Sequence, residues 1–331
     1  MGEPPIKIDA KDRKILYQLD LNCRQSLGQI AKKVGLSKQV VDYRIKRLEE
    51  SGIVKGYYTI MDISRLGFYV FKLYLKFRNP NPQIVDEIVN YFVKDRDVTW
   101  VVTCDGEWDL NVAFLVKRFV DFYKVYHEFL YKYGNYVREK DFAMPVEAFQ
   151  FRRAYVLGNK TDDSKYDVMN SPITPKFEGD KTDWEILKLI APNAKMELQE
   201  MSDRLKISPK TVSNRIKNMV KIGIIQSFRA LFDVPSLGYA YYKIFVGWRN
   251  MSEQKEREIF TWLRMNPNIV YITKSISNAD YEFEMQAKNR DEFYEILRAF
   301  MDRFKENISY VESLHYYKEH KFLYIPEVTP L

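Results

Sequence analysis

Residues 27–54 read LGQIAKKVGLSKQVVDYRIKRLEESGIV, and residues 198–225 read LQEMSDRLKISPKTVSNRIKNMVKIGII. The second stretch lies 171 positions after the first, and the same shift aligns residues 12–67 with 183–238 without a gap. In that register 15 of 56 positions are identical, which is more than chance gives. The shift continues downstream, where it aligns Asp109 with Asp280. A period this long indicates duplicated domains rather than a solenoid of short repeats.

Each copy of the repeat has the pattern of a winged helix-turn-helix. Apolar residues recur at helical spacing after Asp12 and again from Leu27, where a second helix is predicted. Gly35 supplies the turn before Ser37, which is placed to cap a third helix over 37–51. Ser208 and Gly223 repeat the start and the end of that helix in the second copy. The stretch VKGYYTIM (54–61) is then predicted to form a two-stranded wing and a linker strand.

After each winged helix the sequence has the order β-α-β-β-α-β. Alternating apolar residues predict its first strand in both copies: Phe71, Leu73, Leu75 and Phe77, and then Tyr242, Ile244, Val246 and Trp248. This order is typical of a ferredoxin-like sheet with helices on one face. The fold class is therefore predicted as α+β, with two winged helix-turn-helix domains, each followed by a ferredoxin-like βαββαβ regulatory domain. The bare face of each sheet is a natural place for another such sheet to pack.

These patterns give five predicted segments: a winged helix over 1–61, a regulatory domain over 62–156, a linker over 157–181, a second winged helix over 182–232 and a second regulatory domain over 233–331. The linker lacks apolar periodicity and contains Gly158, Pro172, Pro175 and Gly179. A flexible chain of its length spans about 25 to 30 Å, enough for the two copies to lie side by side. The sequence leaves open whether the two sheets pack within one chain or between chains.

Composition narrows the class of protein. The formal net charge is +7, and residues 1–60 alone carry +5 while residues 183–230 carry +4, so the positive charge lies in the two helix-turn-helix segments. Two cysteines form no disulfide framework, and neither an export signal nor a long uncharged apolar run is present. We therefore expect a cytoplasmic protein with no membrane partner. The sequence has no glycine-rich phosphate loop, nucleophile elbow or zinc-ligand cluster, so we predict no cofactor, no metal and no catalysis.

Combined, the motifs resemble the Lrp/AsnC (leucine-responsive, or feast-famine) family of prokaryotic transcription regulators, in a tandem duplicated form. The resemblance is carried by Asp12, Ile15 and Leu16; Leu27, Ile30, Ala31 and Val34–Ser37; Arg44, Ile45, Arg47–Glu50, Gly52–Val54, Gly56 and Tyr57; and Asp62, Leu66 and Gly67. It implies double-stranded DNA as the partner, a regulatory domain that dimerises through its sheet, and a small effector, often an amino acid. Family members usually have one such unit per chain, so the tandem arrangement is a departure from the pattern.

Helix geometry identifies the residues that face away from the core of each recognition helix. In the first copy these candidate DNA contacts are Ser37, Lys38, Gln39, Asp42, Tyr43, Lys46 and Arg47, and in the second they are Lys210, Ser213, Asn214 and Lys217, together with Pro209 and Asn218. A solvated charged face is the alternative interpretation. The second face has lower charge and different donors, which predicts another sequence preference or the loss of DNA reading. We therefore expect an asymmetric operator, because palindromic DNA mirrors identical protein half-sites.

The resemblance also implies an effector pocket at the hairpin between the second and third strands of the sheet. Gly106 and Asp109 match the family's Gly and Asp there, whereas the second copy keeps only the acid, Asp280. The alternative is a simple hairpin with an acid on its surface. His127, His315 and His320 are too scattered to predict a metal site or a catalytic triad.

Two other functions remain open from the sequence. Siroheme decarboxylases resemble Lrp/AsnC regulators in fold and can have two modules, but they are tetrapyrrole enzymes, and none of their His and Arg signatures aligns here. The second is an interaction module that no longer binds DNA. The basic recognition helix favours DNA binding over both.

Overall fold

The structure, a computed structural model, describes residues 7–158, 166–171, 176–323 and 325. The first module consists of α1 (Ala10–Leu21), α2 (Leu27–Val34), α3 (Lys38–Glu50), β1 (Val54–Met61), β2 (Tyr69–Phe77), α4 (Pro82–Lys94), β3 (Val98–Gly106), β4 (Leu110–Val116), α5 (Phe119–Tyr133) and β5 (Val137–Gln150). The second module, which follows the short strand β6 (Asp167–Asn170), consists of α6 (Lys181–Ile190), α7 (Leu198–Leu205), α8 (Pro209–Lys221), β7 (Ile225–Phe232), β8 (Ala240–Trp248), α9 (Glu253–Met265), β9 (Ile269–Ile276), β10 (Tyr281–Ala287), α10 (Arg290–Phe304) and β11 (Ile308–Phe322). Both modules have the winged-helix and ferredoxin-like order of elements that the sequence predicts.

The segment after each recognition helix differs from its prediction. It forms one strand in each copy rather than a two-stranded wing, and β1 pairs antiparallel with β7, its counterpart in the second copy. Eight residues without a turn between them cannot fold back as a hairpin, so their hydrogen-bonding groups pair with the equivalent strand instead. The two winged helices are thereby joined through a shared two-stranded sheet.

The two ferredoxin-like sheets form one closed ring of strands within the chain. The strand order is β2-β4-β3-β11-β8-β10-β9-β5-β6, and β2 also pairs with β5, so the first eight strands close on themselves. Two long strands make the closure. β5 pairs with β2 through its first half and with β9 through its second, while β11 pairs first with β8 and then with β3. The question that the sequence left open is therefore answered: the sheets pack within one chain.

Each winged helix has a core that the other copy completes. Phe232, Val234, Leu237 and Tyr239, on and after β7, are buried in the core of the first winged helix. Their counterparts on and after β1 are buried in the core of the second: Met61, Ile63, Leu66 and Phe68. Backbone hydrogen bonds repeat the exchange, since the Cys23 N–H donates to the Phe228 carbonyl at 2.9 Å and the Ala194 N–H to the Tyr57 carbonyl at 3.0 Å. Neither winged helix has a complete core without the other copy.

The predicted linker contains ordered structure in its described part. β6 adds to the second half of β5, and Asp167 at its start pairs with Arg152 at 2.8 Å. Arg229 on β7 is fully buried, contacts Asp167 at 3.4 Å and binds the buried Asp20 of α1 at 2.6 Å. The prediction missed this strand because its anchoring depends on charges that lie far away in sequence. Prolines 172 and 175 lie outside the described residues.

A buried cluster of four charges lies between the two sheets. Lys72 on β2 and Lys243 on β8 are equivalent residues of the two copies, and both bind the same carboxylate, Glu282 on β10, at 2.6 and 2.5 Å. The Tyr74 hydroxyl donates to its other oxygen at 2.6 Å, and Glu284 lies 3.7 Å from Lys243. Burial raises the pKa of Glu282, but the two lysine cations outweigh that effect and hold it at about 2, below the usual 4.5. Glu282 is therefore a charged group on which the sheet-to-sheet contact depends.

Replacing this carboxylate tests its contribution. We expect Glu282→Gln to lower the free energy of unfolding by about 3 kcal/mol at neutral pH, because it leaves two buried lysines with too few partners. The exposed Glu295→Gln on α10 is the control and should stay within about 0.5 kcal/mol of wild type. Since the pKa of Glu282 is lowered by folding, its contribution is present above pH 4.5 and is lost as pH falls towards 2. Denaturant titrations at neutral and acidic pH measure both effects, and a pH-independent difference contradicts the assignment.

Candidate nucleic-acid interface

The recognition helix of the first copy, α3, starts and is oriented as the sequence predicts. Gly35 ends α2 in the left-handed conformation with φ of +67°, which glycine adopts without strain. Ser37 follows as the N-cap residue, and its hydroxyl accepts a hydrogen bond from the Val40 N–H at 3.3 Å. Val41, Ile45 and Leu48 face the core, so the opposite side of the helix is open to solvent.

A shared ion pair fixes α3 against α1. Asp9 caps α1, and the carboxylate of Asp12 completes a capping box. Arg44 on α3 binds Asp9 at 2.7 Å and Asp12 at 2.8 Å. The backbone N–H of Asp12 and the Arg44 guanidinium lower the pKa of Asp9 to about 2. Arg44 therefore holds the recognition helix at a set angle to the helix beneath it.

The second copy repeats this arrangement. Arg215 on α8 binds Asp180 at 2.9 Å and Asp183 at 2.8 Å, and these two acids cap α6 in the same way. In the sequence, Asp12 and Arg44 stood out as residues that carry the family resemblance, but not as partners of each other. The D-x-x-D spacing of the capping box was the available signal.

Arg47 has a different role from the one predicted. It was expected to face DNA, but its guanidinium donates to the buried carboxylate of Asp12 at 2.5 Å. Its side chain is 30% exposed, and Asp12 is fully buried. Helix geometry alone placed Arg47 outward, whereas the long side chain reaches back across the helix to an acid that needs a partner. We therefore assign Arg47 to the support of α3.

The other predicted residues of α3 form a surface open to solvent. Lys38, Gln39, Tyr43 and Lys46 are exposed, and Asp42 is partly exposed. Tyr43 is 67% exposed, so its ring is open to a ligand. Lys46 pairs with Asp42 one turn away at 2.9 Å. With Arg47 committed to Asp12, this face has two lysines and one acid available to a ligand.

The equivalent face of α8 corrects the prediction that the second copy is less charged. Lys210, Asn214 and Lys217 are exposed and Ser213 is partly exposed, with Ser208 as the N-cap. Ser213 stands where the first copy has Asp42, so Lys217 has no acid one turn away. The outward face of α8 therefore carries a formal charge of +2, against +1 for α3 without Arg47. Both helices present a positive face.

The predicted effector residues already have partners within the fold. The two oxygens of Asp109 accept from the Lys76 ammonium at 2.9 Å and from the Phe77 N–H at 2.7 Å. In the second copy Asp280 accepts from the N–H of Trp248, the last residue of β8, at 2.8 Å. This contact is equivalent to that of Asp109 with Phe77 at the end of β2. Gly106 has φ of +131°, and a Cβ there would lie 2.8 Å from the Ser313 carbonyl oxygen of β11. All three residues thus shape the hairpins and the close approach of β3 to β11.

The histidines lie away from this interface. The His127 ring lies tilted against Tyr123 of α5 with centroids 4.0 Å apart, the His315 ring lies 5.2 Å from Tyr242, and His320 is 3.2 Å from the Thr103 hydroxyl. Within the described ranges, no three His, Cys, Asp or Glu side chains cluster as metal ligands would. Nor is any helix in the described part of the chain long and apolar enough to cross a membrane.

Comparison with known proteins agrees with this geometry. A family model for winged helix-turn-helix DNA-binding domains matches twice, at residues 8–55 and 179–226. The HTH-type transcriptional regulator Ptr1 of Methanocaldococcus jannaschii is 30% identical over 131 residues, which are 39% of this chain and 85% of that protein. LrpB of Bacillus subtilis, also an HTH-type transcriptional regulator, is 28% identical over 134 residues, 40% of this chain and 86% of its own. Each relative is thus matched by about one module.

A solved structure matches both modules together. The siroheme decarboxylase NirDL superposes with a TM-score of 0.61 over 94% of this chain and 92% of its own. Its sequence identity is 14%, so the likeness is one of fold. It shows that two such modules within one chain are a known arrangement.

Proposed function

The chain belongs to the Lrp/AsnC family of DNA-binding transcription regulators, in a tandem duplicated form, and from that premise we propose that both of its winged helices read one asymmetric double-stranded operator. The observation that carries the proposal is the pair of exposed, positively charged recognition-helix faces on two winged helices that are joined by the β1–β7 strand pair. Lysines there can bind phosphates, and the Gln39 amide can make a bidentate contact with adenine. Such a regulator works in the cytoplasm, where prokaryotic DNA lies.

The difference between the two faces supports an asymmetric site. Gln39, Tyr43 and Asp42 in the first copy stand where the second has Lys210, Asn214 and Ser213. A lysine or glutamine side chain favours different base edges, so two half-sites with different sequences give the best fit. The shared β1–β7 sheet holds the winged helices together, which fixes the spacing of the half-sites.

We also propose that a small effector such as an amino acid regulates DNA binding by this protein. Asp109 and Asp280 remain its predicted carboxylates, although Asp109 is already paired with Lys76. An effector ammonium at Asp109 would have to displace that lysine. We expect calorimetric titration with free amino acids to give heats that Asp109→Asn abolishes. If the wild-type protein binds none of the free amino acids, the proposed effector regulation is wrong.

A tetrapyrrole enzyme is the alternative function, and the observation in its favour is the superposition on a siroheme decarboxylase over both modules. The fold likeness does not carry the activity, because the same fold serves unrelated sites. A third possibility is an interaction module that has lost DNA binding. The exposed lysines of both recognition helices favour the regulator over both.

In vitro selection from a random duplex library at near-physiological salt tests the main proposal. We expect an enriched motif with two unlike halves. Lys38→Ala with Gln39→Ala and Lys46→Ala should relax one half, and the matched change in the second copy, Lys210→Ala with Lys217→Ala, should relax the other, by about 1 to 3 kcal/mol for each lost base contact. No enrichment, together with a Soret band after mixing with siroheme, contradicts the proposal in favour of the enzyme. A perfectly palindromic motif contradicts the asymmetry.

The acid on the first face gives a second, matched prediction. Asp42 pairs with Lys46 and repels phosphate, so Asp42→Ser, which installs the residue of the second copy, should raise affinity for non-specific duplex DNA about threefold. The reciprocal change Ser213→Asp should lower it by about the same factor. Fluorescence anisotropy over a salt series measures both, and the slope against salt should be steep in every case. Equal affinities for the two variants and wild type contradict a DNA contact at these faces.

A further inference from the structure

The outer face of helix α5 carries a row of exposed aromatic side chains. Phe119, Tyr123 and Tyr131 are 54%, 56% and 83% exposed, and His127 lies between them at the same four-residue spacing. The sheet-facing side of this helix is already filled by other aromatic residues, among them Phe122 and Phe129. Phe119 also contacts Phe71 of β2, with ring centroids 5.7 Å apart, but packing within the module leaves more than half of Phe119, Tyr123 and Tyr131 exposed.

Helix α10 occupies the equivalent position in the second module, and its outer face is mostly charged. At the positions equivalent to Phe119, His127 and Tyr131, helix α10 has charged residues, and only Tyr123 has an aromatic counterpart: Arg290, Arg298, Asp302 and Tyr294. The two helices occupy the same place in their modules, so the fold itself does not require an aromatic outer face. The difference is specific to the first copy.

The aromatic row extends onto the neighbouring strand. Tyr69 at the start of β2 is 45% exposed, and its ring lies 4.6 Å from that of Phe119. With about 200 Å² for a fully exposed aromatic residue, the four exposed fractions together amount to about 500 Å² of surface. Two copies of the face brought together would bury about 1,000 Å², which reaches the lower bound of a specific protein interface.

The charged residues beside the aromatic row would be self-complementary between two copies of the chain. Lys124 and Glu128 are exposed one turn apart on α5, and within the described residues neither forms a salt bridge of 4.0 Å or shorter. When two α5 helices pack antiparallel about a two-fold axis near Tyr126, Lys124 of one copy lies opposite Glu128 of the other, twice. A two-fold interface requires this kind of self-complementarity, because the same patch must serve both partners.

We infer that the outer face of α5 is an interface between two copies of this chain, formed by antiparallel packing of their α5 helices. This interface is separate from the closed ring that joins the two modules within one chain. It does not depend on DNA, so its test and that of the proposed function succeed or fail independently. An interface of this size lies at the lower end of the range, where transient complexes are found, so we expect weak association with a dissociation constant on the order of 10 μM.

Sedimentation velocity on the full chain without DNA, from about 1 to about 100 μM, tests the inference. We expect wild type to pass from monomer to dimer over this range. The triple variant Phe119→Arg, His127→Arg and Tyr131→Asp, which installs the residues of α10, should remain monomeric. Tyr294→Ala, at the equivalent position on α10, is the matched control and should dimerise as wild type does. Thermal unfolding confirms that each variant is folded.

The charge pair tests the antiparallel arrangement and avoids the large triple change. Lys124→Glu and Glu128→Lys should each weaken association about tenfold, because like charges then face each other, and the double exchange should restore it. A wild-type protein that stays monomeric up to the highest concentration overturns the inference and leaves the face to another partner. Dimerisation that the triple variant leaves intact also overturns it. If the double exchange fails to restore association, the antiparallel packing is wrong.

Discussion

Strand pairing between the two copies is the constraint on which the rest of the structure depends. A single ferredoxin-like sheet would leave the second halves of β5 and β11 and the edges of β3 and β9 without hydrogen-bond partners, and unpaired edges promote aggregation. The ring satisfies all of these edges within one chain. The β1–β7 pair does the same for the winged helices, and the residues that follow each strand complete the core of the opposite winged helix. Neither module can be removed without exposing both a strand edge and an apolar core.

The buried charges explain why unlike modules pair. Lys72 and Lys243 are equivalent, but the positions equivalent to Glu282 and Glu284 in the first copy hold Asn111 and Ala113. Two first modules face to face would bury two lysines without a carboxylate from these positions, and two second modules would bury four carboxylates with two lysines. Only the unlike pair brings two lysines and two carboxylates together. Because an unpaired buried charge is far more costly than a paired one, this distribution favours the arrangement that the chain adopts.

The sequence predicted the features that depend on local patterns. The repeat, the order of elements in both modules and the caps at Ser37 and Ser208 followed from spacing and residue type alone. It did not predict what depends on distant partners. The two-stranded wing was wrong because the hydrogen bonds of β1 are satisfied by β7, and Arg47 was placed outward because its partner Asp12 lies 35 positions away. β6 was missed because the partners of Asp167 lie outside the linker, on Arg152 of the first module and on Arg229 of the second.

Duplication within one chain frees each copy to change where the other does not. In a dimer of identical subunits, a change such as Asp42 to Ser would alter both recognition helices at once, and an aromatic residue at position 131 would appear on both outer faces. Here the two recognition faces differ in charge and in hydrogen-bonding groups, and the two outer helices differ in polarity, while the capping acids and their arginines, which hold the recognition helices, are the same in both copies. The contacts that hold the recognition helices have been retained, whereas the copies differ both on these exposed surfaces and at buried positions such as Asn111 and its charged counterpart Glu282. This distribution is expected when the two halves of one scaffold are selected for different contacts.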